Sequence, residues 1–407
     1  MRCLVAFDKF KDALSARRAC ETAAATLRER HHDWTLDLCP LTDGGEGFAE
    51  ILTLAGEGRL ELSEVTGPRG RQIPAPIGYV EATRIPLPAR KHLPTGVSAS
   101  HVGSDLGPTS HPGSAQAPTL HRGEVRNSAA IIGLASASGL ELLPRDQRDP
   151  WKTTTFGTGE LVARANAKKT GAIVLGVGGS ATNDLGLGAL AALGFRFFAA
   201  NGTPVAVPTP DTWERIVRIE PVVLDLPPIF IACDVTNPLL GPRGATATFG
   251  PQKGLAPADV PKLEAQMSRM AALLCDACGR PLTLADVPGT GATGGFPFGL
   301  MVGAGAAIVP GSALVSAWLD LPARLAAADL VITGEGRFDA TSLAGKGPGS
   351  LVREARRLGK PAHVFAGSVD LPALSGVEGH AITPAGMPLA EALPRTAELL
   401  AAAVAKM

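Results

Sequence analysis

The sequence predicts an α/β protein with two lobes, and three observations support this fold class. At 407 residues the chain is longer than one compact core usually requires, so two lobes are expected. Strand patterns alternate with helical patterns along most of the chain, which is typical of parallel sheets joined by crossover helices. Hydrophobic residues make up 45% of the chain and charged residues 19%, which is enough apolar surface for sizeable cores.

The amino-terminal part begins this alternation. Its patterns predict strands at about 2–7 and 35–40, helices at about 15–31 and up to about 55, and two short strands within 60–80. Ser15 is placed to cap the first helix, because a serine side chain can accept a hydrogen bond from the free N–H groups there. An acidic, glycine-rich segment at 42–47 separates the second strand from the second helix.

The character of the chain changes between about 81 and 126. This segment contains six prolines and five glycines and has neither helical nor strand periodicity, which predicts a mobile surface insertion. It also contains four of the eight histidines: His92, His101, His111 and His121. Their spacing of nine or ten residues matches no compact metal motif, so we interpret them as solvated side chains.

Regular alternation resumes after this segment. The patterns predict strands at about 129–134, 172–177, 229–232, 329–333 and 362–366, and helices at about 157–169, 186–194, 257–278, 312–328, 348–358 and 388–405. The strand at 172–177 is apolar throughout, which favours a buried position in a parallel sheet.

The composition excludes several classes of partner. Lysine plus arginine equals aspartate plus glutamate at 38 each, so neither nucleic acid nor an anionic membrane is expected to bind. No apolar run approaches the roughly 18 residues of a membrane span. Six scattered cysteines form no disulfide framework, which predicts a cytoplasmic protein with reduced thiols. We expect small molecules as ligands, and a monomer or a homodimer.

Residues suited to catalysis follow the predicted strands, where ligands of open α/β sheets collect. Acidic and amide side chains interleaved with glycine follow five strands: Asp8, Asp43 with Glu46, Asn183 with Asp184, Asp234, and Glu335 with Arg337. Carboxylates hold hard cations, and backbone N–H groups exposed by glycine hold phosphates. The pattern therefore indicates a site for magnesium and a nucleotide.

Two glycine patterns indicate a different class of enzyme. Residues 176–181 imitate a dinucleotide-binding fingerprint after a strand, and residues 289–294 match GxGxxG literally. An NAD(P)-dependent dehydrogenase of a small hydroxy acid is therefore the alternative enzyme, although neither match is followed by the acidic residue that a dinucleotide site requires. The sequence also lacks a Walker A motif, so a kinase would need another phosphate cradle.

Eight motifs span nearly the whole chain outside 81–126. They are FDKFKDALSA at 7–16, LTDGGEG at 41–47, TTTFGTGEL at 153–161, GGSATND at 178–184, ACDVTNPL at 232–239, FGPQKG at 249–254, GATGG at 291–295 and ITGEGRFD at 332–339. In order and spacing they resemble the type II glycerate kinases of bacteria. That family usually has Ser at the position of Lys9 and a Glu in the strand at 129–134, where this chain has none.

The resemblance implies an activity and an architecture. It implies ATP-dependent, Mg²⁺-dependent phosphorylation of D-glycerate, with 2-phosphoglycerate favoured as the product, although the sequence leaves the 2- and 3-hydroxyl groups open. It also implies a discontinuous Rossmann-like domain over 1–62 and 287–407, with a second α/β domain inserted at 63–286. The missing strand Glu keeps a second alternative open, a nucleotide- or acid-binding relative with weak or no catalysis.

The motifs also provide a set of candidate site residues. We expect Asp234 to accept the proton of the attacking hydroxyl, because it ends a buried strand before a rigid Asn-Pro turn. The predicted roles are catalytic for Asp234, Lys11 and Arg337, substrate-binding for Asp8, Lys253, Asn237 and Glu335, cofactor-binding for Gly178, Gly179, Ser180, Asn183, Gly291, Gly294 and Gly295, and metal-binding for Asp184 and Asp43.

Overall fold

A computed structural model describes residues 1–82, 86, 127–344, 347–370 and 375–407. The insertion predicted at 81–126, with its four histidines, lies outside the described residues except for positions 81, 82 and 86. The described part contains two large sheets with helices packed on both, which confirms the predicted α/β class.

The strands and helices follow in chain order. The strands are β1 Arg2–Phe7, β2 Thr35–Leu38, β3 Arg59–Thr66, β4 Gln72–Glu81, β5 Ser128–Gly133, β6 Ala172–Gly176, β7 Arg196–Ala199, β8 Ile216–Glu220, β9 Ile229–Cys233, β10 Ala307–Pro310, β11 Leu330–Asp339, β12 Ala362–Asp370 and β13 Val377–Ala381. The helices are α1 Ala16–Arg30, α2 Phe48–Ala55, α3 Ala135–Ser138, α4 Phe156–Ala167, α5 Leu187–Ala192, α6 Ala245–Phe249, α7 Val260–Cys278, α8 Phe296–Ala304, α9 Gly311–Trp318, α10 Leu321–Ala327, α11 Ala340–Ala344, α12 Pro348–Arg357, α13 Leu389–Ala392 and α14 Thr396–Val404.

The first sheet is built from both ends of the chain and is parallel throughout. Its order is β2-β1-β11-β12-β13, which is the doubly wound order of flavodoxin-like folds rather than the order of the Rossmann fold. The strand order reverses between β1 and β11. Ligands of such sheets bind in the crevice outside the carboxyl ends of the strands at that point.

The second sheet is mixed and has the order β10-β9-β6-β5-β4-β3. Its first four strands are parallel, whereas β4 and β3 form an antiparallel hairpin at one edge. This pairing differs from the domain boundaries predicted at 62/63 and 286/287, because β3 and β10 both belong to the second sheet. The division into a discontinuous and an inserted domain remains a proposal, and boundaries before β3 and after β10 would agree with the strand pairing.

The two sheets share an apolar core that holds them together. Buried residues of the first sheet such as Leu4 lie in one cluster with Ile131 of the second sheet and Phe48 of α2. Gly176 shows how closely the parts approach, because an added Cβ there would lie 2.4 Å from Cγ of Phe48 and 2.8 Å from the carbonyl oxygen of Gly44. A glycine at this position therefore lets the loop at 42–47 dock on the end of β6.

Several elements differ from their predicted extents for identifiable reasons. The helix predicted at 312–328 is divided into α9 and α10, because Asp320 adopts a left-handed conformation (φ 50°) and a new helix begins at Leu321, with Pro322 in its first turn. The helix predicted at 388–405 is divided into α13 and α14 by a 3₁₀ turn that contains Pro394, which lacks a backbone N–H. Four strands of only four or five residues were not predicted: β7, β8, β10 and β13.

Candidate active site

Three carboxylates meet where the strand order of the first sheet reverses. Asp8 follows β1, Glu335 lies in β11 and Asp43 follows β2. Burial, and then the charge of Asp43, raise the pKa of Asp8 to about 7. Burial, and then the charges of Asp339 and Asp43, raise the pKa of Glu335. Oε1 of Glu335 is buried without a hydrogen-bond partner among the described residues. We call Asp8, Asp43 and Glu335 the carboxylate cluster; its members repel one another, and a cation would relieve that repulsion.

A cavity of about 550 Å³ opens beside this cluster. Its apolar lining is Leu41, Ala313, Val315, Leu321, Pro322, Leu325 and Leu351, and its other lining residues are Thr42, Asp43, Asp234, Ser312, Ser316, Gly347, Ser350, Arg353, Glu354 and Arg357. Gly347 connects the cavity to the cluster, because a Cβ added there would lie 3.2 Å from Oδ2 of Asp8. We refer to this space as the large cavity.

Asp234 follows β9 and lines the large cavity. Its carboxylate accepts a hydrogen bond from the backbone N–H of Ser312 at 2.7 Å and another from the Ser312 hydroxyl at 3.1 Å. These bonds fix the carboxylate at the start of α9. The predicted catalytic base therefore lies in the same cavity as Asp43.

A second cavity, of about 110 Å³, lies in the other lobe. Its lining residues are Val177, Gly178, Gly179, Ser180, Val235, Phe249, Gln252, Lys253, Ala292 and Thr293. Lys253 is only 1% exposed, and its Nζ donates a hydrogen bond to the carbonyl oxygen of Thr182 at 2.6 Å. Burial lowers the pKa of Lys253 to about 7, and the charge of Asp184 acts in the opposite direction. We refer to this space as the small cavity.

Thr293 has an unusual backbone conformation beside the small cavity. Its φ of 48° and ψ of 39° are left-handed, which costs a residue with a Cβ about 1–2 kcal/mol and is an outlier for a β-branched residue. Its Oγ1 is buried without a hydrogen-bond partner among the described residues. The residue therefore holds a strained backbone and an unused hydroxyl group at the same place.

Asp184, a predicted metal ligand, has surroundings that do not fit that role. It is fully buried and accepts four hydrogen bonds. Oδ2 accepts from the backbone N–H of Thr155 at 2.7 Å, the Thr155 hydroxyl at 2.8 Å and the backbone N–H of Gly188 at 3.2 Å, and Oδ1 accepts from the backbone N–H of Gly186 at 3.2 Å. Because the chain itself occupies its oxygen atoms, Asp184 connects the 178–184 loop to α4 and α5 rather than offering a ligand set.

The three glycines of the 291–295 motif pack against protein. An added Cβ would lie 2.1 Å from the carbonyl oxygen of Pro238 at Gly291 and 2.2 Å from that of Thr182 at Gly294. At Gly295 it would lie 2.8 Å from a leucine methyl group. These glycines permit close packing of loops, and their predicted contact with ATP phosphates is not supported by an open backbone.

The predicted cofactor-binding residues of the 178–184 motif do not all line a cavity. Gly178, Gly179 and Ser180 line the small cavity, although a Cβ on Gly179 would lie 2.1 Å from Oε1 of Glu46. Asn183 is fully buried, donates from Nδ2 to the Thr246 hydroxyl at 3.2 Å, and has no partner for Oδ1 among the described residues. Three of the four predicted cofactor-binding residues in this motif therefore adjoin a cavity.

Three other predicted residues lie outside both cavities. Arg337 is 67% exposed, and its Nε pairs with Oδ2 of Asp339 at 3.0 Å. Lys11 lines a separate groove beside α1. Asn237 donates from Nδ2 to the carbonyl oxygen of Arg243 at 2.7 Å and thereby organises its own loop. The structure does not bring these side chains to the carboxylate cluster.

Two arginines that line the large cavity were not predicted from the sequence. Arg353 and Arg357 lie on α12, and Ser312 lies at the start of α9. The available signal was a basic amphipathic helix after a Gly-Pro step, a place where phosphates often bind in doubly wound folds. Lys9, which stands where the family usually has Ser, forms an ion pair through its Nζ with Oε2 of Glu46.

The fold and the site together define an enzyme with two substrate spaces. Asp234 lines the large cavity and the next residue, Val235, lines the small one, so both cavities lie beside the end of β9. A doubly wound α/β sheet with a carboxylate cluster beside the larger of two cavities is suited to an enzyme that acts on two small molecules. None of the helices in the described ranges is long and apolar enough to cross a membrane.

Comparison with known proteins identifies the family. The pattern described as the glycerate kinase family matches residues 3–87 and 96–407, and the chain belongs to that family. The chain is 34% identical over 374 residues to the glycerate 2-kinase of Escherichia coli K12, covering 91% of this chain and 86% of that protein. It is 32% identical to the glycerate kinase of Bacillus subtilis 168, covering 98% and 95%.

A solved structure has the same architecture. The putative glycerate kinase 2 of Salmonella typhimurium LT2 superposes with a TM-score of 0.71 at 34% identity, covering 100% of this chain and 96% of that one. The predicted kinase class is thereby confirmed, and the dehydrogenase alternative suggested by the glycine patterns is not supported.

Proposed function

We propose that this kinase transfers the γ-phosphoryl group of ATP to D-glycerate in a Mg²⁺-dependent reaction, and that 2-phosphoglycerate is the product. The observation that carries the proposal is the carboxylate cluster beside a cavity of nucleotide size, in a chain that belongs to the glycerate kinase family. The printed name of the Escherichia coli relative, glycerate 2-kinase, supports the choice of the 2-hydroxyl.

The carboxylate cluster fits a divalent cation. Burial and neighbouring carboxylates raise the pKa values of Asp8 and Glu335, and Oε1 of Glu335 is buried without a partner among the described residues. Oxygen ligands of this kind are those that Mg²⁺ prefers. Asp8, Asp43 and Glu335 would hold the ion, which neutralises charge on the phosphates during transfer. Asp184 has no part in this proposal, because its oxygen atoms are already occupied.

The large cavity supports the assignment of the nucleotide. Its volume lies within the roughly 300–1,000 Å³ that small-molecule pockets have. Leucine side chains such as Leu321 and Leu325 offer an apolar surface for a base. Arg353 and the N-terminus of α12, which begins next to Asp8, offer positive charge for phosphates.

Asp234 is the residue that we assign as the general base. It lines the large cavity together with Asp43, and Ser312 fixes the orientation of its carboxylate. A carboxylate held in this way can accept the proton of a hydroxyl group as that group attacks the γ-phosphorus atom. Positioning of the two substrates beside the end of β9 would add to the rate enhancement.

One experiment tests the proposed reaction directly. The purified chain is incubated with Mg-ATP and D-glycerate, ADP is followed by a coupled assay, and the phosphoglycerate is identified by NMR. We expect ADP release that requires both Mg²⁺ and D-glycerate, with 2-phosphoglycerate as product. The absence of ADP release across several hydroxy acids would contradict the proposal, whereas 3-phosphoglycerate would correct only the position of attack.

The cellular location and assembly state are also proposals. None of the six cysteines, all of which lie in the described ranges, forms a disulfide, which is compatible with the predicted cytoplasmic location. We propose a monomer or a homodimer, and light scattering of the purified chain tests this directly.

A further inference from the structure

The small cavity has the size of one end of a small acid. Its volume is about 110 Å³, against about 550 Å³ for the large cavity. That space suits a carboxylate and the carbon next to it, and it is too small for a nucleotide. The residues that line it come from four separate segments, at 177–180, 235, 249–253 and 292–293.

Two polar side chains at this cavity have unused hydrogen-bonding capacity. An ammonium group carries three N–H donors, and Nζ of Lys253 makes a single hydrogen bond to a described residue, the one to the carbonyl oxygen of Thr182. Thr293 is 8% exposed, and its hydroxyl has no partner among the described residues. Buried polar groups are normally paired, so the two groups indicate a missing ligand.

The chemistry of these groups favours an anion. Lys253 can only donate, and the hydroxyl groups of Thr293 and Ser180 can donate. No carboxylate is among the residues that line this cavity. Strain at a functional position is a known accompaniment of binding sites, and the left-handed Thr293 is such a position.

The position of the cavity connects it to the reaction. Val235 lines the small cavity and its neighbour Asp234 lines the large one, so an acid bound in the former can direct a nearby hydroxyl group towards Asp234. We propose that the small cavity is the subsite for the carboxylate of the hydroxy acid, with Lys253 as its counter-ion and Thr293 as a hydrogen-bond donor. This inference rests on the proposed glycerate kinase reaction.

A measurable consequence follows from the state of Lys253. Its pKa is lowered to about 7 by burial, so at pH 8 about nine tenths of the side chains are neutral. The titratable group that acts on it is Asp184, and the ion pair of Lys9 with Glu46 lies beyond Gly179. A bound carboxylate raises the pKa of the lysine again, so binding of the acid takes up a proton.

Calorimetry of the wild-type chain tests this consequence. D-glycerate is titrated into enzyme saturated with Mg-ADP at pH 8, in two buffers with different ionisation enthalpies. Saturation with Mg-ADP first removes the contribution of the carboxylate cluster. We expect uptake of close to one proton for each acid bound, decreasing at pH 6. Binding without proton uptake would overturn the assignment of Lys253 as the counter-ion.

Three variants provide an independent test. Lys253→Met and Thr293→Val keep the side-chain shape and remove the polar group, and Lys262→Met removes an exposed lysine of the same lobe as a control. We expect the KM for D-glycerate to rise about 10- to 100-fold in Lys253→Met and less in Thr293→Val, with the KM for ATP within about twofold. Thr293→Ser should restore the wild-type value, and Lys262→Met should not change it.

The outcomes separate this inference from the proposed function. An unchanged KM for D-glycerate in Lys253→Met, or an equal rise in the KM for ATP, would overturn the subsite and leave the kinase reaction standing. Proton-linked binding of D-glycerate by a wild-type chain that releases no ADP would overturn the proposed reaction and support the subsite. Absence of D-glycerate binding would overturn both.

Discussion

Two aspartates in similar glycine-rich motifs, Asp43 and Asp184, have opposite surroundings in the folded chain. Asp43 is exposed at the large cavity, and its charge adds to burial in raising the pKa values of Asp8 and Glu335. Asp184 is fully buried and accepts four hydrogen bonds from the chain. The comparison teaches that the number of donors around a carboxylate, rather than its motif, separates a ligand site from a structural one.

Substitution of Asp234, a second carboxylate that faces the cavity, should have the largest effect. We expect Asp234→Asn to lower kcat by about 10²- to 10⁴-fold, because an amide does not accept the proton of the hydroxyl group. The amide oxygen can still accept the backbone N–H of Ser312, so the free energy of unfolding should change by less than about 1 kcal/mol. Steady-state kinetics and urea denaturation measure the two quantities, and near-normal turnover would remove Asp234 from the role of base.

At Asp184 we expect the opposite, a large effect of substitution on folding stability. In Asp184→Asn, the amide N–H group would face donors that point at a carboxylate oxygen in the wild type. The nearby Lys253 would also lose the negative charge of Asp184. We expect the free energy of unfolding to fall by about 3–5 kcal/mol, measured by urea denaturation. A stable variant with an increased Mg²⁺ requirement would return Asp184 to the metal site and break the comparison.

Substitution of Asp43 is the matched change in the 42–47 loop. Asp43→Asn should raise the Mg²⁺ concentration for half-maximal activity by at least about 10- to 100-fold, the cost of weakening a metal site. Its stability should be unchanged or slightly increased, because one of the mutually repelling charges is removed. Activity titrations with Mg²⁺ at saturating ATP check this, and an unaltered Mg²⁺ requirement would exclude Asp43 as a ligand.

The smallest effect is a pH dependence that originates in Asp8. Its pKa is about 7 in the folded chain and 3.8 as its ordinary value, so the folded state binds more protons between these values. Stability from this group is therefore present below about pH 4 and is lost as the pH rises to about 7. The melting temperature of the wild type should fall relative to that of Asp8→Asn over this range, and Mg²⁺ should reduce the difference. Parallel pH profiles of the two proteins would contradict the raised pKa.

Much of the fold could be predicted because it rests on local pattern. The apolar run that forms β6 and the cap of α1 by Ser15 are visible in the sequence. Short strands such as β10 and β13 were missed, because four or five residues carry little periodicity and depend on their neighbours in the sheet. The predicted domain boundary at 62/63 falls inside β3 for the same reason, because the sequence does not show which sheet a strand joins.

The candidate site was predictable in position and less so in role. Asp8, Asp43 and Glu335 could be placed at strand ends, but only the fold shows that they meet where the strand order reverses. The glycines of the 291–295 motif resembled a phosphate cradle, yet they permit close packing against carbonyl groups. Arg353 was not selected, because arginines on a surface helix usually face solvent, and only the fold shows which of them line a cavity.

The most direct test of the central claim is to locate the metal. We expect crystals grown with Mn²⁺ and a non-hydrolysable ATP analogue to show an anomalous peak at about 2.1 Å from carboxylate oxygens of Asp8, Asp43 or Glu335. The nucleotide should extend from that peak into the large cavity. A peak at Asp184 with the carboxylate cluster unoccupied would contradict the account.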